Sequence, residues 1–134
     1  MLILLVDDET RLRKAIARSL TARGYHVDEV GTCRDAVAEA SCRQYDLLLL
    51  DINLPDATGW DVLRKLAVVG RWLPTVVLSA VPPSALRVKE FRPLGVLQKP
   101  FPMDALLHLV LQAADFARGE DGDDRRSLAW EDGS

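Results

Sequence analysis

Four apolar runs in this 134-residue chain lead into side chains that can do chemistry. Leu2–Val6 ends in Asp7-Asp8, and Leu47–Leu50 ends in Asp51. Val76–Leu78 ends in Ser79, and the short run Val96–Leu97 leads into Lys99-Pro100-Phe101. If these runs are parallel strands, three carboxylates, a hydroxyl and an ammonium emerge together at the carboxyl edge of one sheet. Open α/β sheets bind ligands at that edge, near the point where strand order reverses. A carboxylate at pH 7 is a weak nucleophile, yet it can accept a phosphoryl group as an acyl phosphate. Acceptor and incoming group are both anionic, and a divalent cation removes most of that repulsion. Mg²⁺ suits such a site because it takes a few oxygen ligands and keeps water. Asp8 and Asp51 would hold the ion directly, with Asp7 orienting its waters and the backbone carbonyl of Asn53 adding an oxygen. Lys99 would bind a phosphoryl oxygen as a point charge.

The elements that must position these groups follow from periodicity. Leu2–Val6 and Asp46–Leu50 are almost wholly apolar, as expected for central strands covered on both faces. His26–Val30 carries Asp28 and Glu29, which places it at a sheet edge. Leu12, Ala15, Ile16, Ser19 and Leu20 recur at helical spacing before Gly24. Thr32 is a candidate cap for a helix carrying Ala36, Val37 and Ala40. Asn53 to Gly59 is a loop by its Pro, Asp and Gly content, and Trp60, Leu63, Leu66 and Ala67 mark the helix after it. Pro82, Pro83 and Pro93 limit the next helical segment to about Ser84–Phe91. From Pro102, the residues Met103, Leu106, Leu107, Val110, Leu111 and Ala114 predict an amphipathic last helix. Strands alternating with helices imply an α/β fold around one parallel sheet.

Composition bounds the rest. The length suits one domain, and 49% hydrophobic with 28% charged residues is ordinary for a globular protein. A net charge of −3 gives no basic surface for direct nucleic-acid binding. No apolar stretch reaches the length of a membrane span. The start lacks a basic n-region, so no signal peptide is expected and a cytoplasmic location follows. Cys33 and Cys42 lack metal or redox spacing and are expected to be reduced and buried. Residues 119–134 are polar, acidic and aperiodic, predicting a disordered tail that contains Trp130.

The order and spacing of Asp7-Asp8, Asp51 with its Asn-x-Pro-Asp…Gly loop, Ser79-Ala80 and Lys99-Pro100-Phe101 resemble the bacterial response-regulator receiver domain. The resemblance runs from Met1 to about Arg118. It implies a flavodoxin-like fold with five strands in the order 2-1-3-4-5 and five helices. It implies that Asp51 is the phosphoacceptor, that Ser79 donates a hydrogen bond to the phosphoryl group, and that Lys99-Pro100 is cis. The implied donor is a histidine kinase or phosphotransfer protein. The implied output is a partner or homodimer reached through the fourth helix, last strand and last helix. Such a domain catalyses only its own phosphorylation and dephosphorylation. Two departures stand out: Val96 occupies a position where receivers commonly carry Tyr or Phe, and the prolines shorten the fourth helix. These features keep open a docking module that works without phosphorylation. An aspartyl-nucleophile phosphatase of the haloacid dehalogenase type fits less well, because Asp51-Ile52-Asn53 lacks its second acid.

Other residues have plainer expectations. Asp7 or Asp8 alone could cap the first helix. His26 and His108 are expected to be exposed and inert, Trp60 packed, and Trp72 partly exposed. Ala105, Leu109, Gln112 and Phe116 form a second line on the last helix. That line fits either a broad buried face or a contact surface.

Overall fold

The computed structural model describes residues 1–119; Gly119, expected to open the tail, ends the last helix instead, and the rest of the expected tail with Trp130 lies outside the described residues. Five βα units follow one another. They are β1 (Leu2–Val6), α1 (Thr10–Ala22), β2 (His26–Val30), α2 (Cys33–Cys42), β3 (Leu47–Asp51), α3 (Gly59–Val68), β4 (Thr75–Ser79), α4 (Ala85–Phe91), β5 (Gly95–Gln98) and α5 (Met103–Gly119). All strand pairs are parallel, in the order β2-β1-β3-β4-β5. Strand order reverses between β1 and β3, the two runs that read as central.

The unbroken apolar runs are explained by two cores. Successive side chains of a strand point to opposite faces, so a strand covered by helices on both sides must be apolar throughout. Ile3, Leu5, Leu47, Leu49, Val76 and Leu78 pack on one face with Ile16 and Leu20 of α1 and Leu106 and Val110 of α5. Leu4, Val6, Leu48 and Leu50 pack on the other face with Ala36 and Ala40 of α2 and Val62 and Leu66 of α3. All these residues have at most 1% exposure, which holds the strand ends rigid beneath the polar groups.

β2 lies at the sheet edge, and its charges have partners. Asp28 accepts from Arg43 (2.6 Å) and the Tyr45 hydroxyl (2.7 Å). Glu29 pairs with Arg13 and Lys14. Thr32 caps α2 as expected, accepting from the Asp35 N–H. The short α4 also agrees: Ser84 caps its start, and Arg92 in the left-handed region (φ 49°) ends it. Trp60 is buried and stacks on Phe91 with ring centroids 5.4 Å apart, while Trp72 is half exposed. His26 and His108 are exposed.

Three expectations change. The third strand runs one residue later than the apolar pattern suggested, because Asp51 itself pairs with Leu78. Asp46 instead accepts the Leu2 N–H on its side chain, 2.7 Å away. Cys33 is buried as expected, but Cys42 is exposed in the last turn of α2, on the side away from the buried line of Cys33, Ala36 and Ala40. Leu111 is 49% exposed, since Leu106, Val110 and Ala114 already take the buried line of α5. In the second line of α5, Ala105 and Leu109 are partly buried and Gln112 is exposed. Leu109 packs against the core and faces the backbone of Gly95, which favours the broad buried face there.

Candidate functional site

The parallel register brings the polar groups together. Val6 lies beside Leu50, Asp51 beside Leu78, and Ser79 beside Gln98. Asp7, Asp51, Ser79 and Lys99 therefore stand at the same edge, one strand apart. Backbone hydrogen bonds extend the ladder past the strand ends and fix that placement. Asp7 N–H donates to the Val30 carbonyl (3.1 Å), Ile52 N–H to Leu78 (3.1 Å), and Lys99 N–H to Ser79 (2.7 Å). The Lys99-Pro100 bond is cis, as the resemblance implied.

Asp7 and Asp51 are buried, at 0% and 2% exposure, whereas Asp8 is exposed. One carboxylate oxygen from each of the three lies within 4.8 Å of the others. Asp7 Oδ1 accepts the Glu9 N–H (2.8 Å), and Asp51 Oδ1 accepts the Asn53 N–H (3.1 Å). These two bonds fix the carboxylates from the backbone side. The Lys99 ammonium reaches Asp7 Oδ2 at 3.0 Å, Asp51 Oδ2 at 3.2 Å and Glu9 Oε1 at 2.7 Å.

Charge is not balanced in this pocket. Burial is the largest influence on the Asp51 carboxyl and pushes it up to about 6. The Asn53 N–H opposes that rise, the nearby charge of Asp7 adds to it, and Lys99 opposes it. Burial alone would lower the Lys99 ammonium. Hydrogen bonds to Glu9 and Asp7, with the charges of Asp7 and Asp51, instead carry it above its ordinary value. Four carboxylates against one ammonium leave excess negative charge, and the convergent donors are hard carboxylate oxygens. That set fits a small, hard divalent cation rather than a thiophilic metal.

Ser79 is buried at the end of β4, but its hydroxyl donates to the Val81 carbonyl and receives the Val81 N–H at 3.3 Å. Its proton is therefore committed within the β4–α4 loop. Asn53 pairs with Thr58 across the β3–α3 loop, and the Gly59 N–H donates to the Ile52 carbonyl (2.8 Å), which brings the end of that loop back beside the end of β3. Gly59 is needed there. A Cβ on it would stand 2.6 Å from the Asp51 carbonyl oxygen and 3.0 Å from Ile52 Cα, a distance no side chain tolerates against backbone. Asp56 of the same loop accepts the Cys33 and Arg34 N–H groups (2.8 and 3.0 Å), tying the loop to the start of α2. α3 starts with a capping box between Thr58 and Asp61.

The acids after β1 do not cap α1. Glu9 holds the N-cap position of α1 and makes no side-chain capping bond; its carboxylate goes to Lys99. Glu9 was not among the residues picked out from the sequence. The available signal was the third consecutive acid in Asp7-Asp8-Glu9, which a search for a pair passes over.

The family model of the response regulator receiver domain matches residues 3–111. This chain belongs to that family. The receiver domain is 36% identical over 113 residues to the probable transcriptional regulatory protein SilR of Salmonella typhimurium, covering 82% of this chain and 49% of that protein. It is 37% identical over 110 residues to the transcriptional regulatory protein KdpE of Mycobacterium tuberculosis, covering 79% and 47%. The chain thus spans about half the length of the curated relatives it matches. Among solved structures, the response regulator TrrA of Thermotoga maritima, in complex with Mg²⁺ and BeF, superposes with a TM-score of 0.74 at 26% identity. That match covers 84% of this chain and 97% of TrrA. The receiver domain of a putative Luxo repressor from Vibrio parahaemolyticus gives 0.81 at 27% identity, covering 90% and 94%. The chain is a phosphoacceptor signalling domain of the two-component type, with the sheet order that the resemblance implied. Among the described residues, no helix of this receiver is long and apolar enough to cross a membrane.

Proposed function

We propose that Asp51 accepts the phosphoryl group from the phosphohistidine of a histidine kinase or phosphotransfer protein. The observation that carries this reading is the buried Asp51 carboxylate, 3.2 Å from Lys99 and grouped with Asp7 and Asp8. A carboxylate oxygen of Asp51 forms the new bond to phosphorus as the phosphorus–nitrogen bond of the donor breaks. The leaving imidazole keeps the bonding electron pair and takes a proton from solvent. Mg²⁺ is the cation that fits this donor set: Asp8, Asp51 and the Asn53 carbonyl would hold it, and Asp7 would act through water. When bound, it offsets the negative charge that acceptor and phosphoryl group share.

The chain's own groups do the positioning. Asn53 N–H holds Asp51 through Oδ1, and Lys99 donates to a phosphoryl oxygen. Ser79 turns from the Val81 carbonyl to donate to another, so the β4–α4 loop loses the bond that now ties it. Release of that loop changes the surface of α4, β5 and α5, where an output partner or a second copy binds. The domain then acts on no substrate other than its own acyl phosphate, makes no direct nucleic-acid contact and works in the cytoplasm.

A docking module that works without phosphorylation is the second reading. Val96 favours it: 36% exposed on β5, it offers no aromatic ring to follow a movement of Ser79. Intact mass after incubation with Mg²⁺ and acetyl phosphate separates the two. One added phosphoryl group, absent in Asp51→Ala and without Mg²⁺, is the expected outcome. No adduct, together with no beryllofluoride binding, overturns the phosphoacceptor reading and leaves the docking module.

A further inference from the structure

Lys99 is fully engaged before any phosphoryl group arrives. An ammonium has three donors, and Asp7, Glu9 and Asp51 take them at 3.0, 2.7 and 3.2 Å. For Lys99 to reach a phosphoryl oxygen, one of these contacts must break. The three are not equally easy to give up. The Asp7 side chain is 0% exposed and would be left as a buried charge without its cation, and the Asp51 side chain, 4% exposed, would be one until its own bond to phosphorus forms. The Glu9 side chain is 58% exposed and can turn its carboxylate into water. Its contact is also the shortest of the three, and it holds no helix N–H that would keep it in place.

We infer that Glu9 is a positioning residue that competes with the incoming phosphoryl group for Lys99, and so holds down the rate and affinity with which Asp51 is loaded. The inference rests on Asp51 being the phosphoacceptor. Displacement of Glu9 frees one ammonium donor, and that donor moves to the phosphoryl oxygen while Asp7 keeps its own. Glu9 also adds negative charge near an anionic donor, and the two effects are separable by reach. Asp at this position keeps the charge but is one methylene too short to hold Lys99 in the same contact.

The test compares wild type, Glu9→Ala and Glu9→Asp in labelling by acetyl phosphate with Mg²⁺, and in beryllofluoride affinity by calorimetry. In Glu9→Ala, both are expected to rise by about two- to fivefold, the worth of one half-exposed ion pair. Glu9→Asp is expected to follow Glu9→Ala, and the melting temperature without ligand to fall by no more than about 1–5 °C, the same ion pair lost from the ligand-free domain. Wild-type rates and affinities in Glu9→Ala, or lower ones, overturn the inference. So does a Glu9→Asp protein that behaves as wild type while Glu9→Ala is faster, because charge alone would then explain the gain. Failure of wild type to take label or bind beryllofluoride would instead overturn the phosphoacceptor reading beneath it.

Discussion

Replacing Asp51 with Asn is expected to stabilise the metal-free domain at neutral pH, although it removes the phosphoacceptor. The Asp51 carboxyl is raised from 3.8 to about 6, chiefly by burial. At about 1.4 kcal/mol for each tenfold change in proton affinity, that difference is worth about 3 kcal/mol. The sign follows from the raised value. Asp51 contributes its full stability only below pH 3.8, loses it as pH rises through about 6, and above that is a buried charge. Asn keeps the shape and can still accept the Asn53 N–H. It gives up the 3.2 Å contact to Lys99, which retains Asp7 and Glu9. The value of about 6 already contains the opposing pull of Lys99, so that loss is not subtracted again, and the net stabilisation is about 2–3 kcal/mol, or a rise in Tm of several degrees for a domain of this size. Urea unfolding with chelator, read by circular dichroism from pH 4.5 to 7.5, measures it. The gap between Asp51→Asn and wild type should open as pH rises through about 6 and shrink toward pH 4.5. Added Mg²⁺ should narrow it at pH 7.5 by stabilising wild type alone. An Asp51→Asn protein no more stable than wild type at pH 7.5, or a gap independent of pH, would refute the argument.

Gly59→Ala should cost about 1–3 kcal/mol, because its Cβ would meet the Asp51 carbonyl oxygen at 2.6 Å with backbone on the other side. Urea midpoints check the stability, and a slower acetyl phosphate reaction should accompany the loss as β3's end is displaced. Leu109→Asp should lower stability by about 1–3 kcal/mol, since the side chain packs on the core and against Gly95. A stable Leu109→Asp protein that has lost self-association in sedimentation would return this line of α5 to a contact surface.

Much of the architecture was legible in the sequence because local and global requirements agree. Leu2–Val6 and Leu47–Leu50 are apolar at every position, and only a strand covered on both faces asks for that. The charged β2 could sit nowhere but an edge. The short α4 follows from Pro82, Pro83 and Pro93, whose backbone restrictions act wherever the chain folds. Boundaries were less legible. Asp51 belongs to β3 because Leu78 supplies a pairing partner across the sheet, which no feature of Asp51 announces. Cys42 and Leu111 show the same limit, since a small or apolar residue is buried only if a neighbour covers it.

For the site, residue types and order along the chain determined which groups could gather: carboxylates after the first and third strands, a hydroxyl after the fourth, a lysine after the fifth. Tertiary structure alone decided how each is used. It committed the Ser79 hydroxyl to Val81 and turned Glu9 from a helix cap to a partner of Lys99. It also raised the Asp51 carboxyl by burying it beside Asp7. The reason is physical. Periodicity and composition act through neighbours along the chain, whereas hydrogen-bond choice and proton affinity depend on distance and burial among residues far apart in sequence. Glu9 and Lys99 are 90 positions apart along the chain, and only the assembled sheet puts them 2.7 Å from one another.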